Sequence, residues 1–147
     1  MSASVSDVAK TMWDFVYAYD AAYDRAARVC GLSASQACLL KAVSDGPSTM
    51  GQLATDLLCD ASNVTQLVNR LETKGLVTRR VGHLDRRSKT VHITSAGAML
   101  HREVTEAFSF PHEALGCLTP RQQETLADLL SVISGGSDRD MTRPVQA

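Results

Sequence analysis

The sequence predicts a mostly α-helical fold carrying one small antiparallel β-hairpin. Three observations predict it. Apolar residues recur at helical spacing over most of the chain. Residues 76–94 alternate instead, in two segments around a polar loop. The helical stripes are bounded by Ser, Thr or Asp in front and by Gly or Pro behind. With 147 residues, 44% apolar and 21% charged, the chain is large and apolar enough for one globular domain. Aromatics are only 5%, so the core must rest on Leu, Val, Ala and Met.

The elements follow in order. Residues 5–30 read as one long helix, with Val5, Val8, Met12, Val16, Tyr19, Tyr23 and Ala26 along one side and Gly31 as its stop. Ser33 or Ser35 caps a second helix with Ala37, Leu40 and Val43 inward. Asp45-Gly46-Pro47-Ser48 is a turn. Thr49 stands three residues before Gln52, a capping-box spacing, and opens a short helix with Leu53, Ala54 and Leu57. Asp60 caps the next helix, residues 61–74, which Gly75 ends.

Residues 76–81 and 89–94 read as the two strands, and Gly82 to Ser88 as the loop between them. Thr94 or Ser95 caps a fifth helix, which Pro111 breaks or kinks. Thr119-Pro120-Arg121-Gln122 restarts a last helix with Leu126, Leu129, Leu130 and Ile133 inward. Gly135-Gly136 is expected to end it, leaving residues 135–147 as a flexible tail.

The first and last helices each carry an apolar stripe with no partner inside the compact middle. A second copy is the simplest partner, and a symmetric dimer the commonest arrangement. The expected organisation is one chain, with a compact helix-and-hairpin lobe at 32–94 and dimerisation helices at 5–30 and 95–134.

Charge locates the functional surface. Net charge is −1. Residues 1–60 hold four Lys/Arg and seven Asp/Glu, residues 61–94 seven and two, and residues 95–147 four and seven. These give −3, +5 and −3, so an anion-binding surface belongs in the middle segment. Residues 49–74 have the pattern of a helix-turn-helix. In its second helix Val64, Leu67, Val68 and Leu71 occupy i, i+3, i+4 and i+7 and belong to the core.

Ser62, Asn63, Thr65, Gln66, Asn69, Arg70 and Thr73 occupy the other side. A merely solvated face would mix Glu with Lys, yet this one has no carboxylate between Asp60 and Glu72. Amides, hydroxyls and guanidinium are the groups that pair with base edges and phosphates. A carboxylate there would be repelled by the DNA backbone. On the loop, His83, Asp85, Arg86, Arg87 and Lys89 cluster; an arginine on such a tip suits the minor groove, and Asp85 would orient one guanidinium.

Other chemistries find less support. The four cysteines, Cys30, Cys38, Cys59 and Cys117, form no CxxC pair, and no clustered His/Cys spacing suggests a metal. No phosphate loop, nucleophile elbow or HExxH is present. The sequence therefore implies no enzyme, cofactor or metal. No apolar run is long enough for a bilayer and no signal peptide opens the chain, so the expected compartment is the cytoplasm. The rival reading is a helical interaction module that does not bind DNA.

Leu53-Ala54, then Val64-Thr65-Gln66-Leu67-Val68-Asn69-Arg70-Leu71-Glu72-Thr73-Lys74-Gly75-Leu76-Val77-Thr78-Arg79, then Asp85-Arg86-Arg87-Ser88-Lys89-Thr90-Val91 and Thr94-Ser95-Ala96-Gly97 resemble the MarR family of bacterial regulators. The likeness covers roughly Leu32 to Ile133. It implies a winged helix-turn-helix homodimer on double-stranded DNA with a pseudo-palindromic operator. It also implies a repressor released by a small, often phenolic or aromatic, ligand. Trp13 and Tyr17 are the candidate ligand contacts.

Two departures stand out: Pro111 interrupts a helix that is long in the family, and Ala61 replaces a polar or basic residue at the start of the recognition helix. Some relatives sense oxidants through a cysteine early in the first helix, where this chain has none. Cys59, close to a helix N-terminus, is the candidate for that alternative.

Overall fold

The computed structural model describes residues 3–82 and 87–140, the last five by backbone alone. The chain divides into two units, Met1–Ser109 and Phe110–Ala147. The first contains α1 (Val5–Val29), α2 (Ala34–Ala42), β1 (Ser48–Thr49), α3 (Met50–Asp56), α4 (Ala61–Thr73), β2 (Val77–Val81), β3 (Lys89–Ile93) and α5 (Ser95–Ala107). The second contains α6 (Phe110–Gly116) and α7 (Pro120–Asp140). The mostly α fold with a small antiparallel sheet is the expected class. Among the described residues no helix is long and apolar enough to cross a membrane.

Helix starts obey the capping chemistry of the sequence. Ser33 Oγ accepts the Gln36 N–H at 3.2 Å while Gln36 Oε1 accepts the Ser33 N–H at 3.0 Å. The same reciprocal pair joins Thr49 with Gln52, at 3.2 and 2.9 Å, and Thr119 with Gln122, at 3.4 and 2.9 Å. Each pair satisfies two backbone donors that a helix N-terminus would otherwise leave bare.

Helix stops share one geometry. After α4 the N–H of Leu76 donates to the Leu71 carbonyl and that of Gly75 to Glu72, both at 2.9 Å, with Gly75 at φ +71°. After α3 the N–H of Cys59 donates to Ala54 at 3.1 Å and that of Leu58 to Thr55 at 3.2 Å. There the left-handed position is filled by Leu58 at φ +50°, a residue whose Cβ crowds that conformation. Leu58 is 93% exposed, so no packing offsets the strain.

The core of the first unit is aliphatic. Leu39 and Leu40 of α2, Val43 just after it, Leu53 of α3, Val64, Val68 and Leu71 of α4, Val77 of β2 and Val91 of β3 are completely buried. The sheet order is β1-β3-β2, antiparallel throughout. The third strand, β1, is a correction: residues 45–48 read as a turn, yet Ser48 pairs with Val91 and Thr49 with Thr90. Two residues are too few to show alternation. Its pairing gives β3 a partner on both sides, so the hairpin is anchored to the base of α3.

α5 is held by a close approach at Gly97. Thr94 Oγ1 accepts the Gly97 N–H at 3.0 Å and donates to the Gly75 carbonyl at 2.7 Å. A Cβ at Gly97 would lie 2.1 Å from the Leu76 oxygen and 2.9 Å from Ile93 Cγ1. Farther along, Val104 is buried, and the ring of Phe108 meets Tyr19 and Tyr23 of α1 edge-on, with centroids 5.0 and 5.1 Å apart.

The break ahead of Pro111 occurs as expected: α5 ends at Ala107, and Pro111 sits in the first turn of α6, where its missing N–H is no loss. In the second unit Pro120 opens α7. The expected stop at Gly135-Gly136 is overturned, since α7 continues to Asp140. Gly135 has no positive φ; glycine ends a helix only by entering the left-handed region and otherwise weakens it by about 1 kcal/mol. Residues 141–147 lie outside the described residues.

Gly97→Ala is expected to lower stability by about 1–3 kcal/mol, because the Leu76 backbone must move aside. An unchanged urea midpoint would contradict the close approach. Leu58→Gly is expected to raise stability by about 0.5–1 kcal/mol, the relief of left-handed strain less the entropy glycine adds to the unfolded chain. A lower midpoint for this variant would show that Leu58 makes contacts its exposure hides.

Candidate nucleic-acid interface

Burial sets the rotation of α4. Val64, Val68 and Leu71 are sealed in the core and Leu67 is half-buried, the i, i+3, i+4, i+7 set of the sequence. The opposite side therefore faces out, and Ser62, Asn63, Thr65, Gln66, Asn69, Arg70 and Thr73 are all exposed. Asp60 caps the helix: its Oδ1 accepts the Asn63 N–H at 2.8 Å and the Ser62 hydroxyl at 3.0 Å. The Asn63 N–H first, then the Ser62 hydroxyl, hold the Asp60 carboxyl below its ordinary pKa of 3.8.

The outward groups are not equally available. Thr65 Oγ1 donates to the Ala61 carbonyl and Thr73 Oγ1 to the Asn69 carbonyl, each at 2.9 Å. Both hydroxyl protons, and that of Ser62, are engaged inside the helix, leaving these residues as acceptors with exposed methyl or methylene groups. Phosphate accepts and does not donate, so these three contribute little to backbone contact in this arrangement. Among the described residues, the side chains of Asn63, Gln66 and Arg70 have no hydrogen-bond partner, so their donors are open to DNA.

The hairpin adds positive charge beside α4. Val77 and Val91 anchor its two strands in the core, and the register runs from Val77 opposite Ile93 to Val81 opposite Lys89. The Gly82 N–H donates to the Ser88 carbonyl at 2.9 Å across the mouth of the loop. Arg87 and Lys89 are exposed, as is Arg80 on β2. His83, Asp85 and Arg86, also expected at this tip, lie outside the described residues.

The structure brings in one cation that the sequence reading did not count as a site residue. Arg79 of β2 is partly buried, and its Nη2 donates to Oδ1 of Asn69 on α4. Its Nε lies 3.7 Å from Glu72 Oε2, and its backbone N–H donates to Glu72 Oε1 at 3.3 Å. Strand alternation carried the signal: Arg79 shares a face with the buried Val77 and points toward the helix.

Trp13 and Tyr17 are 66% and 67% exposed on α1, ring centroids 6.0 Å apart, and enclose no ligand by themselves. A cleft of about 890 Å³ in the first unit lies elsewhere, between α2 and α4. Cys38, Cys59, Lys41, Leu67 and Arg70 are among the residues lining it. Cys38 and Cys59 are both half-buried. Among the described residues no three His, Cys, Asp or Glu side chains gather as a metal site.

Comparison with known proteins agrees with this geometry. Residues 31–88 match the model of the MarR family. An organic hydroperoxide resistance transcriptional regulator of Bacillus subtilis (strain 168) is 31% identical over 85 residues, 58% of this chain and 55% of the relative. The aligned region thus spans about half the length of that curated relative. The crystal structure of AbsC, a MarR family transcriptional regulator from Streptomyces coelicolor, superposes with a TM-score of 0.77 at 19% identity, covering 95% of this chain and 99% of that one. NadR in complex with 4-hydroxyphenylacetate superposes with a TM-score of 0.70 at 19% identity, covering 90% and 96%.

The Asp60 cap has a pH signature. A depressed folded pKa means stabilisation that is present above the unfolded value of about 3.9 and is lost as pH falls through the folded value. Asp60→Asn is therefore expected to show a shallower loss of stability between about pH 5 and about pH 3 than the parent. Parallel denaturation curves over that window would remove the cap as a contributor.

Proposed function

We propose that this chain, a MarR-family protein through its residues 31–88, is a sequence-specific DNA-binding transcriptional regulator and acts as a homodimer. The observation that carries the reading is the exposed face of α4, free of carboxylates from Ala61 to Leu71 and lying beside a basic hairpin. In this reading α4 enters the major groove with Asn63, Gln66, Asn69 and Arg70 toward base edges and phosphates. Ser62, Thr65 and Thr73 meet the groove as acceptors or through their carbon atoms. The wing, with His83, Asp85, Arg86, Arg87 and Lys89, reaches the flanking minor groove.

Dimerisation is supported by exposed apolar surface. On α1, Val5, Val8, Met12 and Val16 are each more than one third exposed. On α7, Leu129, Leu130, Val132 and Ile133 are each about half exposed or more. A second copy that covers both stripes places two α4 helices on one face of DNA, which calls for a pseudo-palindromic operator.

The regulator is read as a repressor that a small phenolic or aromatic effector releases; the structural likeness to NadR bound to 4-hydroxyphenylacetate supports that class of ligand. Trp13 and Tyr17 remain the proposed contacts, to be enclosed by the second copy. The redox alternative rests on Cys59 and on the likeness to a hydroperoxide regulator; inert Cys59 in thiol labelling of the folded protein would end it.

Selection of bound sequences from random DNA tests the function directly. The expected product has two-fold symmetry, with half-sites spaced about one helical turn apart. Affinity for it should fall steeply and log-linearly with salt. A pool that enriches nothing would favour the interaction module instead. Arg87→Ala is expected to weaken operator binding by about 1–3 kcal/mol and leave the dimer intact. Ile133→Asp should instead shift the protein toward monomer in sedimentation and reduce operator affinity with it. Unchanged affinity in either variant would count against the role given to that surface.

A further inference from the structure

The geometry points to Arg79 as a positioning residue for base recognition: it holds the Asn69 amide oxygen inward, so that Asn69 meets DNA as a hydrogen-bond donor alone. This rests on the DNA-binding reading of α4. Arginine carries donors and no acceptor, so only the oxygen of the Asn69 amide can face it. The orientation is thus set by chemistry rather than by a choice between look-alike atoms. Arg79 is itself held on two sides. Its backbone N–H donates to Glu72, whose carboxylate also lies 3.7 Å from the guanidinium Nε. Its strand is pinned through Val77, which is fully buried. Arg79 side-chain exposure is 24%, so the group is well placed to hold its neighbour and poorly placed to reach a phosphate.

The consequence concerns which base Asn69 can read. Asparagine pairs with adenine by donating to N7 and accepting from the N6 amino group. That second bond needs the oxygen which the guanidinium already occupies, and a cation beside it repels another donor. What remains outward is the NH₂ group. Guanine, through N7 and O6, and thymine, through O4, offer acceptors to such a donor. The expected preference at the base facing Asn69 is therefore guanine or thymine over adenine, opposite to the residue's ordinary partner. The same contact ties the recognition helix to β2, so helix and wing present their groups in one fixed relation.

The test compares the full-length parent with Arg79→Met, Arg79→Lys and Asn69→Ala, selecting bound sequences from random DNA and then titrating single-base variants of the parent's selected site. The parent should disfavour adenine at one position in each half-site. Arg79→Met, which frees the oxygen, should raise binding of the adenine variant roughly tenfold relative to the guanine or thymine site and leave other positions alone. Arg79→Lys keeps a cationic donor and should keep the parent's preference. Asn69→Ala should erase discrimination at that position only.

Uniform weakening of every sequence by Arg79→Met, with preferences unchanged, would overturn the proposal, because it is the mark of a phosphate contact or of general disruption. So would an unaltered preference in Asn69→Ala, a measurement that decides the matter even if Arg79→Met fails to fold. The contact is also checked without DNA: the Asn69 side-chain amide resonances should shift in Arg79→Met, and resonances that stay put would refute the lock while leaving the DNA-binding reading standing. If the parent enriches no sequence while those resonances do shift, the lock exists but the DNA role falls with the reading beneath it.

Discussion

The rotational setting of α4 is the constraint on which the rest depends. A helix presents every azimuth, and sequence chemistry becomes a surface only when packing decides which azimuth faces out. Val64, Val68 and Leu71, all sealed from solvent, make that decision. Turning the helix by one residue, about 100°, would swing aliphatic groups into water at roughly 1.5–3 kcal/mol each and bury amides without partners. No arrangement of surface charges competes with a penalty of that size, since exposed ion pairs contribute about 0–1 kcal/mol. The polar strip is thus positioned by what lies behind it.

The hairpin and α5 extend the constraint outward. Gly75 turns the chain directly from α4 into β2, so Leu76 and Val77 enter the core one step after the helix ends. Thr94 then ties the end of β3 back to the Gly75 carbonyl, and Gly97 lets α5 begin against the Leu76 backbone. Helix end, strand start and next helix start converge within a few ångströms of one another. A displacement of the sheet therefore carries the start of α5 with it, and the Arg79–Asn69 contact ties the outer side of the same joint. Such a joint makes α4 and the base of the hairpin one body, which is what the proposed reading of two adjacent grooves would require.

Much of this was legible in the sequence because the signals were local. Capping pairs such as Thr49 with Gln52 and Thr119 with Gln122, the apolar set on α4, and the break before Pro111 all act within a few residues. What escaped was non-local or too short. β1 is defined only by its partner Val91, forty-three residues away from Ser48, and nothing in Ser48-Thr49 itself announces a strand. Gly135-Gly136 looked like a stop because glycine often is one, yet a stop needs a left-handed turn, and the helix simply runs through. The donor state of the candidate site was likewise hidden. Composition counts Thr65, Thr73 and Ser62 as hydrogen-bonding groups, whereas only coordinates show their protons engaged, and only they show Asn69 bound to Arg79.

That accounting changes how the interface divides its work. Of seven polar residues on the exposed side of α4, three have committed hydroxyl protons and one has a committed carbonyl. The open donors reduce to the amides of Asn63, Gln66 and Asn69 and the guanidinium of Arg70. Under the proposed DNA-binding reading, one cation on α4 would release few counterions, so the helix by itself would be a weak electrostatic anchor and a selective reader. Affinity would then come from charge elsewhere in the basic segment. Arg80, Arg87 and Lys89 are exposed on or next to the two wing strands, while Arg79 is partly buried and donates to Asn69. In the proposed reading, recognition by helix amides and anchoring by wing cations become separable tasks on this surface. That separation would follow from hydrogen bonds made within the protein before any DNA arrives.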